Sequence, residues 1–221
     1  MKVQYPTIIH QRTLNKKLFV LEAIRDLDEA IDILCDSMSE SEKSDPFAED
    51  LCPYFGILWP AAEALAQYLS QHPELVKNQS ILELGSGLGF PSLVASHLGG
   101  EVLTTDFHPD VEEYFLRNCR HSVVSCRYQR LNWREDQKDI GLFDIVMGSD
   151  VLYESKHARE VALGLIRFLK PQGKILLSDP GRAYLQPFIH AMNKEGYQEE
   201  LIPVKVGDKE IFVFLFEKIT E

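Results

Sequence analysis

A glycine-rich segment at residues 80–106 constrains the fold more than any other part of the chain. Its apolar start, Ile81 to Leu84, predicts a short buried strand. Three glycines follow at alternate positions, Gly85, Gly87 and Gly89. They let the backbone turn sharply and approach a ligand with no Cβ in the way. With a helix predicted over 91–98 and a strand over 102–105, this is a βαβ unit with a glycine-rich first turn, which is typical of nucleotide-type cofactor sites in open α/β sheets.

The spacing of these glycines distinguishes between cofactor classes. A dinucleotide fingerprint has the pattern Gly-x-Gly-x-x-Gly, whereas here position 90 is Phe and the third glycine falls at position 89. The acid Glu83 stands two residues before the first glycine, and Asp106 ends the second predicted strand. A carboxylate at that strand end accepts hydrogen bonds from ribose hydroxyls. From this segment alone a second interpretation stays open, in which the turn merely closes a βα unit and Asp106 caps a helix.

The acid-x-Gly-x-Gly-x-Gly pattern resembles motif I of the seven-strand S-adenosylmethionine-dependent methyltransferases. In that family the loop packs against the methionine moiety, and the acid helps to hold its amino group. The resemblance therefore implies S-adenosyl-L-methionine as the cofactor, with Glu83 in the role of that acid. A nicotinamide-dependent dehydrogenase is the alternative that the glycine spacing disfavours.

Composition excludes several classes of function. The formal net charge of −11 argues against a protein that grips nucleic acid through its phosphates, because such binding needs a basic face. The N-terminus lacks the apolar run of a signal peptide, and no apolar stretch approaches the length of a membrane span, so we expect a cytoplasmic protein with no membrane partner. The four cysteines have no metal-ligand spacing, which predicts reduced thiols and no metal site.

At 221 residues the chain can form one sizeable core with an appended segment. Residues 1–50 are predicted to be an N-terminal extension or lid, and 51–221 the methyltransferase domain. Within the extension we expect a strand over 17–23, a helix from Asp26 to Ser37 with Asp26 as its cap, and a polar linker over 37–50.

The remaining elements follow in an alternating order. Helices are predicted over 61–71, 111–121, 156–169 and from 183 to about 195, and strands over 127–131, 143–148, 174–178, 197–206 and 210–217. Five βα units and a terminal hairpin fit the Rossmann-like seven-stranded methyltransferase sheet, whose last strand is antiparallel. The predicted fold class is therefore α/β.

Several side chains are predicted to meet where ligands bind, at the carboxyl edge of the sheet. Phe107 can flank an adenine ring or only fill the helix–sheet interface. Asn132 offers an amide that can pair with an adenine edge, and Trp133 offers a ring for stacking. Alternatively, Asn132 is an ordinary turn residue and the indole of Trp133 packs in the interior. Trp59, before the first helix of the domain, either closes over the cofactor or belongs to the core.

The end of the fourth strand carries the sequence Ser149-Asp-Val-Leu-Tyr153, opposite the glycine loop. It lacks the Asn/Asp-Pro-Pro-Tyr/Phe pattern of many nucleic-acid and glutamine methyltransferases. Its Asp-Val-Leu-Tyr resembles the Asp-x-x-Tyr motif of the family 16 protein lysine methyltransferases, as do Trp59-Pro-Ala-Ala62 and Asn132-Trp133 in their places. The run Asp179-Pro-Gly-Arg-Ala-Tyr-Leu185 is especially similar to the lysine methyltransferases of the electron-transfer flavoprotein β subunit.

This second resemblance covers roughly residues 50–218 and implies a protein substrate with lysine as the methyl acceptor. It implies Asp150 and Tyr153 as catalytic residues. The residues expected to bind the cofactor are Trp59, Glu83, Gly85, Gly87, Gly89, Asp106, Phe107, Asn132, Trp133 and Ser149. A small-molecule N-methyltransferase acting on a heteroaromatic amine is the first alternative, and a catalytically silent binding module is the second.

The chemistry of lysine methylation suggests what Asp150 and Tyr153 would do. A lysine has a pKa of about 10.4 in solution and must lose its proton before it attacks a sulfonium methyl. We expect Asp150 to orient the amine by accepting a hydrogen bond, and Tyr153 to offer a ring face or hydroxyl beside the methyl group. The structural alternative is that Asp150 caps the next helix and Tyr153 packs beneath it. His157 is predicted to lie on that helix's surface rather than to act as a base.

Overall fold

The computed structural model describes residues 3–39, 51–135, 140–153 and 157–219. Its strands are β1 (Thr7–Leu14), β2 (Lys17–Ile24), β3 (Ser80–Leu84), β4 (Glu101–Asp106), β5 (Arg127–Arg130), β6 (Phe143–Ser149), β7 (Leu169–Asp179), β8 (Tyr197–Val206) and β9 (Lys209–Lys218). Its helices are α1 (Leu27–Ser37), α2 (Pro60–Gln71), α3 (Pro73–Val76), α4 (Phe90–His97), α5 (Val111–Ser122), α6 (His157–Arg167) and α7 (Leu185–Lys194).

Seven strands form one mixed sheet in the order β5-β4-β3-β6-β7-β9-β8. The pairs from β5 to β7 are parallel, and β9 is antiparallel to both β7 and β8. The strand order reverses between β3 and β6, because the chain passes from β3 to β4 on one side and returns to β6 on the other. Such a switch point opens a crevice at the carboxyl edge of the sheet. The predicted α/β fold with a seven-stranded sheet and a terminal antiparallel hairpin is confirmed.

Both faces of the sheet are buried, which explains why its inner strands are apolar almost throughout. Ile81 and Ile145 face a cluster that contains α2, α4 and α5, whereas Leu82 and Val146 face a cluster with α6 and α7. Side chains alternate along β3, so Glu83 shares the face of Ile81 and lies next to α4. The pleat thereby brings an acid into the apolar interior behind the glycine loop.

The N-terminal residues form a hairpin of which the sequence indicated only the second strand. Strand β1 pairs with β2 in antiparallel register, and Asn15 and Lys16 make the turn with φ of 48° and 65°. Both left-handed residues are what a two-residue hairpin turn needs. Without a glycine at the turn, and with β1 mostly exposed, no strong sequence signal marked this strand. Phe19 of β2 is buried in the cluster of α2, α4 and α5, and the predicted boundary after residue 50 stays a prediction.

Most element predictions hold to within a few residues, and two differ in an informative way. The sequence predicts Asp110 as the N-cap of α5; Asp110 does precede this helix, but its backbone is already helical and its side chain makes no capping hydrogen bond. The sequence also predicts a turn at 170–173 before the strand at 174–178, whereas these residues are part of β7, whose register against β6 shifts between Phe143 and Ile145. The chain therefore enters β7 early through an irregularity rather than through a separate loop.

Some predictions fall outside the part that the structure describes. Residues 40–50, which make up most of the predicted linker at 37–50, are not among the described residues. The side chain of His157 is not described either. Among the described helices, none combines the length and the apolar character needed to cross a bilayer.

Candidate functional site

A cavity of about 720 Å³ opens at the switch point, above the carboxyl ends of β3, β4 and β6. Nearly all the predicted site residues line it: Trp59, Gly85, Gly87, Gly89, Asp106, Phe107, Asn132, Trp133, Ser149, Asp150 and Tyr153. The structure therefore brings together side chains that are spread over some 95 positions of the sequence. Further residues of the wall that the sequence did not single out include Tyr54, Ser86, His108, Arg134 and Arg182.

The three glycines of the loop form a cradle that no other residue fits. Gly85, Gly87 and Gly89 all have positive φ, at 65°, 52° and 75°. A Cβ on Gly87 would lie 2.9 Å from the carbonyl oxygen of Phe55, and one on Gly89 would lie 2.3 Å from the ring of Phe115. The loop is thus both left-handed and tightly enclosed, which requires glycine on two separate grounds.

Asp106 links this loop to the next strand. Its Oδ2 accepts a hydrogen bond from the backbone N–H of Gly87, and its Oδ1 accepts one from the N–H of His108, both at 2.9 Å. Burial raises the pKa of Asp106, while these amide hydrogen bonds oppose the rise. Each oxygen keeps a lone pair for a further donor, so the carboxylate can accept hydroxyl hydrogen bonds from a ligand in the cavity.

Glu83 takes a different place from the other predicted cofactor residues. Its side chain is 0% exposed, is not part of the cavity wall, and accepts hydrogen bonds from the backbone N–H and the hydroxyl of Ser92 on α4. Desolvation raises its pKa to about 8, although the Ser92 hydrogen bonds oppose this shift. Its Oε1 finds no hydrogen-bond partner among the described residues. The acid therefore lies behind the loop, and no direct contact with a ligand in the cavity follows from this geometry.

The aromatic and amide groups after β4 and β5, Phe107, Asn132 and Trp133, lie along the cavity wall. Asn132 is fixed by a hydrogen bond from its Nδ2 to Glu135 Oε1 at 2.9 Å. The ring of Trp133 packs beside Gly85, where a Cβ would lie 3.3 Å from its Cζ3. The Phe107 ring contributes to the cavity wall, and the Arg130 guanidinium lies 5.4 Å from its centroid. The Oδ1 of Asn132 accepts a hydrogen bond from the backbone N–H of Arg134, so its amide is engaged within its own turn, as the turn alternative expects.

The opening of the cavity is aromatic. Trp59 is the residue before α2, and its Nε1 donates to the carbonyl oxygen of Tyr54 at 2.9 Å. The rings of Tyr54 and Tyr153 are 6.4 Å apart between centroids, and the two residues are 43% and 47% exposed. Tyr153 therefore stands at the rim, which does not agree with the alternative that it packs beneath a helix.

Asp150 is held in an unusual conformation at the end of β6. Its φ is +56°, its N–H donates to the carbonyl oxygen of Ser178 at 3.0 Å, and its Oδ1 accepts from Arg182 Nε at 2.6 Å. Residues 151–153 are not helical, so Asp150 is not the N-cap of α6. A non-glycine residue in this region of φ costs free energy, so the surrounding contacts with Ser178 and Arg182 must hold Asp150 in this conformation.

The wall of the cavity fits S-adenosylmethionine by its own chemistry. The hydroxyl of Ser86 is buried at the cavity and has no hydrogen-bond partner in the part of the chain that the structure describes. A buried polar atom of this kind calls for a partner, which a polar ligand can supply. Together with the glycine cradle and the Asp106 carboxylate, the Ser86 hydroxyl makes the cavity wall suitable for a ligand that carries hydroxyl and amino groups. The described residues contain no cluster of His, Cys, Asp and Glu that could hold a metal ion.

Comparison with known proteins assigns the family. The model of a family described as lysine methyltransferase matches residues 52–195, which include the whole glycine loop and both Asp150 and Tyr153. The chain belongs to this lysine methyltransferase family. The predicted resemblance to family 16 is thereby confirmed.

Individual relatives differ in the acceptor that their names record. The chain is 35% identical over 124 residues to the histone-arginine methyltransferase METTL23 of Xenopus laevis, covering 53% of each protein. It is 28% identical over 179 residues to the electron transfer flavoprotein beta subunit lysine methyltransferase of the same species, covering 75% of this chain and 70% of the relative. The chain thus spans between about half and 70% of the length of these two relatives.

A solved structure supports the fold over nearly the whole chain. The T. thermophilus 16S rRNA N2 G1207 methyltransferase RsmC, in complex with AdoMet and guanosine, superposes with a TM-score of 0.68. The match covers 99% of this chain and 52% of that protein at 15% sequence identity. At such an identity the likeness concerns the fold alone.

Proposed function

We propose that the chain is an S-adenosylmethionine-dependent methyltransferase that methylates lysine side chains of a protein substrate. The observation that carries the proposal is the layout of a single cavity. Its wall holds the glycine cradle with Asp106 on one side and Asp150 with Tyr153 on the other. Membership in the lysine methyltransferase family supports both the cofactor and the acceptor class.

The residues divide into two proposed groups. Asp106 would accept hydrogen bonds from the ribose hydroxyls, Ser149 and the glycine loop would border the methionine portion, and the aromatic groups would flank the adenine. The proposed cofactor residues are Trp59, Glu83, Gly85, Gly87, Gly89, Asp106, Phe107, Asn132, Trp133 and Ser149, to which the geometry adds Ser86. Glu83 would act from behind the loop, since it does not reach the cavity wall.

When bound, S-adenosylmethionine supplies an electrophilic methyl group on a cationic sulfur. The chain has to place a neutral amine in line with that group, which is mainly a task of positioning. Asp150 is proposed to orient the amine through its carboxylate. Tyr153, at the rim, is proposed to line the passage through which the substrate side chain enters.

A protein acceptor agrees with the open, aromatic rim. Tyr54 and Tyr153 are exposed at the opening, so a side chain projecting from a larger molecule can reach the cavity. The net charge of −11 disfavours a nucleic acid as substrate. Arginine is a second candidate acceptor, because the relative with 35% identity is named a histone-arginine methyltransferase. A cytoplasmic location remains part of this proposal.

Labelling of a cell lysate tests the proposal. The purified chain is incubated with lysate and S-adenosylmethionine labelled in its methyl group, and the Asp106→Ala variant serves as the control. We expect label in discrete protein bands with the wild type only, and methyllysine after acid hydrolysis. Methylarginine would favour the second candidate, and label confined to small molecules would favour a small-molecule methyltransferase. Cofactor binding without any transferred label would indicate a silent binding module.

A further inference from the structure

Arg182 reaches the cavity from the loop after β7 and pairs with Asp150, the residue proposed to orient the acceptor amine. The distance from its Nε to Asp150 Oδ1 is 2.6 Å. The Asp150 side chain is 6% exposed and that of Arg182 is 35% exposed, and both residues line the cavity. An amine that approaches Asp150 therefore meets a carboxylate that is already paired with a cation.

The backbone holds each partner in place independently of the ion pair. The buried Asp179, at the end of β7, accepts hydrogen bonds from the backbone N–H groups of Gly181 and Arg182, both at 2.7 Å. Gly181 has a φ of +91°, which lets the loop turn back toward the cavity. Asp150, with its positive φ, is tied to Ser178 by its own N–H. The pairing is thus the product of two separately organised strand ends.

The charge of this pair matters because only a neutral amine can act as the nucleophile. An unpaired carboxylate beside an amine stabilises the ammonium form and raises its pKa, whereas a guanidinium has the opposite effect. Arginine remains charged throughout the accessible pH range. A carboxylate that is paired with arginine still has lone pairs with which to accept a hydrogen bond.

We propose that Arg182 is a positioning residue that neutralises Asp150, so that Asp150 accepts a hydrogen bond from the acceptor amine without holding that amine in its protonated, unreactive form. The inference rests on the proposed function and extends it to the protonation state of the substrate. It also explains why a buried carboxylate at the site of methyl transfer has a permanent cation as its partner.

The other charged and titratable groups of the wall come from different elements: Cys52, Tyr54, Asp106, His108, Arg134 and Tyr153. Arg134 pairs with Glu160 at 3.1 Å, and Asp106 is engaged by backbone amides of its own loop. Asp179 lies behind the Arg182 loop and is bonded to its backbone. Because all these groups are retained when Arg182 or Asp150 is replaced, a comparison of variants at one pH isolates the ion pair.

Two cofactor analogues provide a probe that requires no acceptor. In sinefungin a carbon with a primary amine replaces the methylated sulfur of S-adenosylmethionine, whereas S-adenosylhomocysteine has a neutral sulfur there. The ratio of their dissociation constants therefore reports the field acting on a cationic amine at the transfer point. It is measured by titration calorimetry at neutral pH for the wild type, Arg182→Gln, Arg182→Lys and Asp150→Asn.

The proposal makes opposite predictions for the two partners. Arg182→Gln leaves an uncompensated carboxylate and should raise the preference for sinefungin about tenfold, the equivalent of one pKa unit. Asp150→Asn leaves an uncompensated guanidinium and should lower the preference by about the same factor. Arg182→Lys keeps the charge and should stay within about threefold of the wild type. Arg12→Gln, which breaks an ion pair with Glu63 outside the cavity wall, is the matched control and should leave the ratio unchanged.

Equal ratios in all variants, or shifts of the same sign for Arg182→Gln and Asp150→Asn, would overturn the inference. If the ion pair only held the loop in place, removing either partner would change the ratio in the same direction. If thermal melting shows that Arg182→Gln does not fold, the shift in Asp150→Asn against the wild type decides alone. A wild-type chain that binds neither analogue would contradict the proposed function itself, which is a separate and recognisable result.

Discussion

Asp106 both fixes the glycine loop and lines the cavity in which the cofactor is proposed to bind. Its carboxylate accepts backbone hydrogen bonds from Gly87 and His108 while it faces the cavity. Replacement by alanine removes the acceptor for ribose hydroxyls and also one fixation point of the loop. We expect Asp106→Ala to weaken S-adenosylmethionine binding by about 2 kcal/mol, or roughly 30-fold, as measured by calorimetry.

Asp144 offers a matched control for this variant. It too is a carboxylate that accepts a backbone N–H, from Ser80 at 2.9 Å, but it lies near the start of β6 at the opposite edge of the sheet. We expect Asp144→Ala to lower the melting temperature and leave the cofactor affinity unchanged. An unchanged affinity in Asp106→Ala would remove the ribose assignment.

Glu83 makes the stability of the chain depend on pH. Its pKa rises from the ordinary value of 4.5 to about 8 on folding, so between these values the folded chain binds the proton more tightly than the unfolded chain. The contribution of Glu83 to stability is therefore most favourable below about pH 4.5 and is lost as the pH rises toward about 8. Glu83→Gln removes this titration but keeps the shape of the side chain.

Urea denaturation at a series of pH values tests this statement. Between pH 5 and pH 8 the free energy of unfolding of the wild type should fall by about 3 kcal/mol relative to that of Glu83→Gln. Asp179, another buried acid with a raised pKa, is present in both proteins and cancels, whereas the charge of Asp106 contributes to the raised pKa of Glu83 and is part of the effect. Parallel curves for the two proteins would mean that Glu83 is ionised in the folded state across this range.

At the scale of elements, the turn from β3 to α4 combines a left-handed backbone with tight packing. A Cβ on Gly89 would lie 2.3 Å from the ring of Phe115, which is fully buried on α5. We expect Gly89→Ala to destabilise the chain by about 3 kcal/mol, because the buried Phe115 ring would have to shift to make room for the Cβ. Equilibrium denaturation gives the value.

The hairpin between β8 and β9 supplies the control for the backbone part of this cost. Gly207 has a φ of +57°, and nothing lies within 4 Å of where its Cβ would be. Gly207→Ala should therefore cost only about 1 kcal/mol, from the left-handed conformation alone. If the two substitutions lowered the free energy of unfolding by the same amount, the packing of Phe115 against the loop would not contribute to the cost.

At the scale of the whole molecule, Asn118 joins the N-terminal hairpin to the glycine loop between β3 and α4. It is fully buried on α5, its Oδ1 accepts from the N–H of Glu22 at 2.7 Å, and its Nδ2 donates to the carbonyl oxygen of Leu88 at 3.2 Å. Asn118→Ala removes the side-chain partner of three backbone groups, the N–H and carbonyl oxygen of Glu22 and the carbonyl oxygen of Leu88, and should cost about 3 kcal/mol of stability. Because Leu88 belongs to the cavity wall, cofactor affinity should fall several-fold as well.

Ser122, one turn further along α5, is the matched control. Its hydroxyl contacts the N–H and the carbonyl oxygen of Val20, both at 3.0 Å, and so binds the hairpin without touching the cofactor loop. We expect Ser122→Ala to lower the melting temperature while calorimetry shows wild-type cofactor affinity. A similar loss of affinity in both variants would mean that the hairpin acts on the site through general stability.

The sequence by itself determined the elements and the class of site. Apolar runs and helical spacing are local patterns, and they indicated nearly all strands and helices of the methyltransferase sheet. The alternate glycines with Glu83 and Asp106 predicted a cofactor-binding loop, because the required backbone geometry restricts the residue types that can occupy such a turn. The strand β1 was not predicted, because its turn lacks glycine and its side chains are largely exposed.

Only the tertiary structure decided which side chains meet. Arg182 lies 32 positions after Asp150, and no spacing rule indicates that the loop after β7 turns back to form their ion pair. The burial of Glu83 behind the loop likewise depends on how α4 packs on the sheet, because Ser92 of α4 is its hydrogen-bond donor. Such contacts result from the relative placement of whole elements, so they set the charge and the exposure of each group at the site, which the local sequence pattern does not contain.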